Sequence, residues 1–124
     1  MKSTLYERLG EFQGISKLVD DAVELHMSNP HVSARFIPYK EQPEVLKVVK
    51  GHTVNFFCAG AGGPQEYGGR DMVTTHRGMN ISEQEFLAVV DDILEAMEKN
   101  AYGDEDKKDV LAILYSLKGS VIRI

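Results

Sequence analysis

The residues best able to do chemistry in this chain are its four histidines, His26, His31, His52 and His76, and its single cysteine, Cys58. An imidazole can move a proton near neutral pH or offer a nitrogen lone pair to a metal. No two histidines stand in an H-E-x-x-H arrangement, so a zincin-type helix is absent. No histidine or cysteine group has zinc-finger spacing. Cys58 follows Phe57 on a helical stretch, with no histidine or aspartate at a motif distance. A thiol nucleophile is therefore disfavoured, and a small buried hydrophobe is the expected role. A single cysteine also excludes an intramolecular disulfide and fits a reducing compartment.

The chain that carries these groups has 124 residues, enough for one domain with one core and a cofactor within it. Hydrophobic residues are 43% and charged residues 27%, an ordinary globular composition. The net charge of −5 and the lack of a Lys/Arg run argue against nucleic acid or an anionic membrane as a partner. The first residues carry no apolar signal-peptide region, and no apolar run reaches membrane-spanning length. The expectation is a cytoplasmic single domain spanning 1–124.

Helical periodicity runs between clusters of glycine and proline, and no segment sustains strand-like alternation, so an all-α fold is expected. A short first helix is capped by Ser3 or Thr4, turns Leu5, Leu9 and Tyr6 inward, and ends at Gly10. A second, from about Gly14 to Ser28, carries Ile15, Leu18, Val19, Ala22, Val23 and His26 on one stripe, and Asn29-Pro30 stops it. A connector passes through Phe36 to Tyr39. The third helix opens near Pro43 and ends at Gly60 to Pro64. A short helix follows from about Asp71 to Arg77. Ser82-Glu83-Gln84-Glu85 is a capping box for a long helix ending near Asn100. A last helix spans about Asp104 to Val121. The pattern reads as two long C-terminal helices preceded by two shorter ones.

These elements set the histidines in different surroundings. His26 closes an apolar stripe, and a ring bonded to a backbone carbonyl is the expected state. His31 follows Pro30 and is expected in solvent. His52 sits in the stripe Val45, Val49, His52, Phe56, where a polar group needs a partner or costs desolvation. His76 lies four residues after Met72, behind a loop holding Gly60, Gly62, Gly63, Gly68 and Gly69. A reversing loop between His52 and His76 could set their helices face to face across a cavity, and two imidazoles so placed suit a haem. On spacing alone an ordinary core or surface histidine is the commoner outcome, and Met72, Phe56 and Phe57 read as core residues.

A longer pattern joins them. Phe56-Phe57, then Gly62-Gly63-Pro64-Gln65-Glu66-Tyr67-Gly68-Gly69-Arg70-Asp71-Met72, then His76, and Ile81 with Phe86, resembles the group I truncated haemoglobins. Leu5-Tyr6-Glu7-Arg8-Leu9-Gly10 is similar to that family's first helix, and the step from Asn29-Pro30 through Val32 to Phe36 is similar to its turn into the pocket wall. The resemblance covers nearly the whole chain. It implies a shortened globin, a two-over-two helical sandwich around haem b. It implies His76 as proximal ligand to the iron and Phe36 packed on the porphyrin. Phe56, Phe57, Met72, Ile81 and Phe86 match haem-contacting positions, and the glycines match those that hold the short proximal helix.

The distal side departs from the family pattern. Counting back from Asn29-Pro30, the usual distal tyrosine falls on Val23, and two further distal positions fall on Val49 and Thr53. The connector before the third helix is several residues longer than is typical. Weaker hydrogen-bond retention of O2 is expected. His52 stands where some members carry a second iron ligand. Two arrangements stay open: a six-coordinate bis-histidine haem, or His52 turned out to a propionate or solvent. No histidine follows His76, so the covalent link to a haem vinyl found in some members has no counterpart, and the haem is expected to be non-covalent.

Reversible binding of a diatomic gas (O2, NO or CO), including oxygen transport, is the leading function. The same site could turn NO to nitrate with a reductase partner, or serve redox or electron transfer, and no flavin motif or reductase patch decides between carriage and catalysis. A haem-free helical module binding an apolar ligand would need the same stripes but leaves His76 and the glycine loop without a purpose.

Overall fold

The computed structural model describes residues 4–69 and 71–124, so Ser3, one of the two expected caps, and Arg70 of the glycine motif lie outside the described residues. The described chain is helical and has no strand, only an isolated bridge between Ile81 and Ile122. Helix α1 (Leu5–Arg8) is capped by Thr4 in a capping box with Glu7. Helix α2 (Glu11–Ser28) buries Ile15, Leu18, Val19, Ala22 and His26. Short helix α3 (Ser33–Phe36) and a 3-10 turn (Ile37–Glu41) follow. Helix α4 (Pro43–Gly60) opens on its proline. Helix α5 (Met72–His76) is a single turn capped by Asp71. Helix α6 (Glu83–Lys99) starts at the Ser82 and Glu85 capping box. Helix α7 (Asp104–Ser116) and the short α8 (Lys118–Val121) complete the chain.

The core lies where α2 packs on α4 and α6, with α7 behind α6. Its fully buried members include Leu9, Ile15, Cys58, Met97 and Val110. Burial pushes the Cys58 thiol up, which keeps it un-ionised and inert, as its expected role as a small hydrophobe requires. The pairs α2/α4 and α6/α7 form two helical layers.

Four sequence expectations change. Helix α2 begins at Glu11 rather than Gly14, because the corner is made earlier: Gly10 and Glu11 take φ of 94° and 62°. Gly14 then lies inside the helix against the end of α1. A Cβ there would stand 2.0 Å from the Leu9 carbonyl oxygen, which also accepts a hydrogen bond from the Tyr102 hydroxyl. Gly14→Ala is expected to cost roughly 3 kcal/mol of stability by overpacking against backbone, read as a lower urea midpoint with an unchanged slope. Second, the expected connector is itself largely wound into α3 and the 3-10 turn. Third, the early helices are not the shorter pair: α2 and α4 have 18 residues each, against 17 in α6 and 13 in α7.

Fourth, the last helix does not run unbroken to Val121. The Ser116 hydroxyl donates to the Ile113 carbonyl at 2.5 Å, and Leu117 N–H bonds Leu114 rather than Ile113, so the α pattern stops there. The break turns α8 back onto α5. Gly78 N–H donates to the Ile124 carbonyl and Arg123 N–H to the Ile81 carbonyl, so the C-terminal tail anchors the segment that follows α5.

Candidate functional site

The third helix, α4, carries two apolar faces. One, with Val54, Phe57 and Cys58, is buried in the core. The other carries Val45, Val48, Val49, His52 and Phe56, and remains open: Val45 is 44% and Val48 60% exposed. Ile37 beside it in the chain is 46% exposed. An apolar helix face left this exposed offers a surface for another apolar partner. Helix α5, which carries His76, packs on α8 rather than on this face of α4. The glycine loop holds the two apart. It caps α4 through Gly63 N–H to the Cys58 carbonyl and Gly62 N–H to the Ala59 carbonyl. Gly63 presses so closely on Tyr6 that a Cβ would lie 2.5 Å from the ring.

His76, half-buried, ends α5, and its Nδ1 lies 2.8 Å from the Met72 carbonyl oxygen. A carbonyl can only accept, so Nδ1 carries the proton and Nε2 the lone pair. That tautomer, fixed by a backbone acceptor, is the state in which an imidazole binds a metal through Nε2. Met72 is half-buried one turn before it. His52 is exposed on the open face of α4, with its ring edge-on to Tyr67 at 6.4 Å, and Phe56 meets the same tyrosine at 5.4 Å. The donor set therefore fits a flat apolar iron cofactor: one oriented imidazole, an open apolar face, and a second imidazole on that face.

The other residues named from sequence fall at different depths. Phe36 is half-buried and stacks on His26, with ring centroids 4.7 Å apart. Phe57 and Phe86 pack with the core, and Ile81 is buried. Val49 lies on the open face, and its carbonyl accepts from the Thr53 hydroxyl at 2.9 Å. Val23 and Thr53 line one small cavity of about 40 Å³ together with His26 and Phe57. His31 is exposed, as expected, and meets the Gln84 amide at 3.1 Å.

His26 corrects the sequence reading. It is buried, but its partner is a carboxylate and not a carbonyl: Nδ1 donates to Asp92 Oδ2 at 2.8 Å. Asp92 is itself only 7% exposed and also accepts from the Asn29 side-chain amide at 3.1 Å. Burial pulls His26 below its ordinary range more than Asp92 raises it, so the ring is neutral near pH 7. The signal was present, since Asp92 interrupts the apolar run Val89, Val90, Ile93 as His26 interrupts its own stripe. What was missing was that the two stripes face each other.

Arg35 was also missed. Its guanidinium bonds Glu85 through Nε at 2.7 Å and through Nη2 at 3.2 Å, and Nη2 also donates to the Met79 carbonyl. One side chain so ties α3, the turn after α5 and the start of α6. The Arg35 bond and the Ser82 backbone N–H hold the Glu85 carboxyl down at about 2, from an ordinary 4.5. A carboxyl lowered in the fold stabilises it fully above its unfolded pKa, and that contribution fades as pH falls from about 4.5 toward 2. Glu85→Gln is therefore expected to lower stability at neutral pH and to flatten its fall across that acid window, as read by urea midpoints against pH.

Comparison with known proteins places the chain. The family model described as bacterial-like globin matches residues 4–123. The group 1 truncated hemoglobin GlbN of Nostoc sp. (strain MUN 8820) is 32% identical over 97% of this chain and 98% of its own length. The truncated hemoglobin of Tetrahymena pyriformis shares the fold with a TM-score of 0.88 at 18% identity, over 98% of this chain and 100% of that one. The 2/2 hemoglobin of Synechococcus sp. PCC 7002, solved in the cyanomet state with covalently attached heme, gives 0.79 at 18% identity over 94% of each chain. No helix among the described residues is long and apolar enough to cross a membrane. With its two helical layers and its oriented His76 imidazole, the chain belongs to the bacterial-like globins as a group 1 truncated haemoglobin, a family of haem proteins that bind gases.

Proposed function

We propose that residues 1–124 form one cytoplasmic globin domain that holds haem b non-covalently between α4 and α5 and binds a diatomic gas reversibly. His76 is the proximal iron ligand. The observation that carries this reading is the His76 imidazole, locked by the Met72 carbonyl into the tautomer that leaves Nε2 available, together with an apolar face of α4 on which Val45 and Val48 stay exposed. Iron in the bound cofactor supplies the gas site. The chain supplies orientation and the exclusion of water. Phe36, Val49, Thr53, Phe56, Phe57, Met72, Ile81 and Phe86 form the apolar surround. Thr53 spends its hydroxyl proton on the Val49 carbonyl, so it offers a bound gas no donor.

His52 is the sixth ligand when no gas is present. Its exposed place on the open face and its edge contact with Tyr67 support this role. An internal ligand competes with gas for one position, so removing it raises gas affinity by the population it had occupied. Absorption spectra of the haem-loaded protein, ferric and dithionite-reduced, test both points. Sharp split low-spin bands in the reduced protein that turn high-spin in His52→Ala support the six-coordinate state. A reduced protein already high-spin, and unmoved by the substitution, leaves a five-coordinate gas site and removes His52 from the iron. Failure to take up stoichiometric haem overturns the reading as a whole.

A further inference from the structure

We infer that His26, held by Asp92, is the proton acceptor of the distal pocket, taking the proton that a weak acid HX gives up as X⁻ binds at the iron. This rests on the haem site proposed above. A cavity of about 40 Å³, which shares Thr53 and Phe57 with the proposed haem surround, is lined also by Val23, His26 and apolar side chains of α2 and α6. Two of its lining side chains carry polar atoms, Thr53 and His26, and the Thr53 hydroxyl, which donates to the Val49 carbonyl, is far too weak a base to take a proton near neutral pH. That leaves the imidazole. Its Nδ1 proton is given to Asp92 at 2.8 Å, and among the described residues Nε2 has no hydrogen-bond partner. The carboxylate thereby fixes the lone pair on the second nitrogen.

The pair is built to hold a transferred proton. When Nε2 accepts it, an imidazolium forms against a buried carboxylate that the Asn29 amide also holds in place. Burial keeps the resting ring neutral near pH 7, a free base; it keeps the proton afterwards because X⁻ comes in as a second negative charge beside it, together with Asp92. Two charged groups on the helices packed against α2 are paired: Lys50 of α4 with Asp20, and Arg35 of α3 with Glu85; Lys47 of α4 and Asp91 of α6 are exposed. His52 of α4 is exposed on that helix's open face. In the step the H–X bond breaks, its electron pair stays on X and the proton passes to His26 Nε2, so atoms and charge balance without a further reactant. O2 and CO carry no proton and gain nothing from such an acceptor. Hydrogen cyanide, hydrogen sulfide and hydrogen peroxide do.

The test is cyanide binding to the ferric, haem-loaded protein at neutral pH, where hydrogen cyanide is the free species. It is run in the His52→Ala background, so that His26 is the one imidazole of the distal side. Protons appearing in weakly buffered solution are counted with an indicator dye, and association is followed by the Soret change. With His26 present, close to zero protons are released per cyanide; with His26→Gln, which can still donate to Asp92, about one is released. Association is about 100-fold slower in the glutamine variant, within the range of positioned acid–base groups. Asp92→Asn, which keeps a hydrogen bond but removes the counter-charge, also releases the proton. A full proton released while His26 is present, or association rates that His26→Gln leaves unchanged, overturns the inference and leaves the pair a structural tie between α2 and α6. The count on the protein that retains His26 decides by itself if the glutamine variant does not load. Absence of haem from the protein that retains His26 overturns the inference together with the haem reading, a result distinct from bound haem with a released proton.

Discussion

Replacing His76 with glycine is expected to lower haem affinity by more than ~100-fold, because partners that merely orient a ligating histidine are already worth about 10–100-fold. His76 is the last residue of a one-turn helix whose position comes from elsewhere: Asp71 caps its start, and α8 and the C-terminal tail brace it from behind. Loss of the imidazole therefore leaves α5 in place and removes the ligand. Added imidazole is expected to occupy the space left in His76→Gly and to restore both haem retention and the Soret band. Haem titration with and without imidazole is the measurement. A glycine variant that retains haem with an unchanged reduced spectrum would remove His76 from the iron. Loss of haem that imidazole does not rescue would instead show that α5 itself collapses.

Oxygen retention gives the second large effect. Val23 stands at the cavity with His26 and Thr53, and none of the three offers a proton to bound O2. Val23 has no polar atom, Thr53 donates to Val49, and the His26 Nδ1 proton belongs to Asp92. Val23→Tyr places a hydroxyl donor there. A hydrogen bond to a partly charged acceptor contributes about 1.5–3 kcal/mol. At about 1.4 kcal/mol for each tenfold, O2 dissociation should slow by roughly 10–150-fold, with CO dissociation changing far less because bound CO carries less negative charge. Stopped-flow displacement of O2 by CO reads the rate. Equal slowing of both gases would mean that the tyrosine acts by crowding the cavity rather than by donating, and no slowing would place residue 23 away from the gas.

Local chemistry was legible in the residues because it is decided within a turn or two of chain. Ser82 and Glu85 cap α6 wherever that helix goes, Pro43 opens α4, and the apolar stripes of α2 and α6 follow from helical period alone. The glycine motif and His76 were legible as a pattern, since Gly63 must lie under Tyr6 and tolerates no side chain. Val23 and Thr53, which the family resemblance matches to distal positions, line one cavity.

Tertiary structure decided what depends on separate segments meeting. His26 and Asp92 are 66 positions apart, and nothing local shows that their stripes face each other. The same holds for Arg35 and Glu85, 50 positions apart, and for the tail that braces α5. At Leu117 the backbone N–H turns from Ile113 to Leu114 beside the Ser116 hydroxyl bond, a local change that helical periodicity does not register. Period and capping describe a helix on its own axis. The partner of a buried polar group is set by the path of the whole chain, and in this protein that path determines which imidazole lies open on the face of α4 and which is buried against a carboxylate.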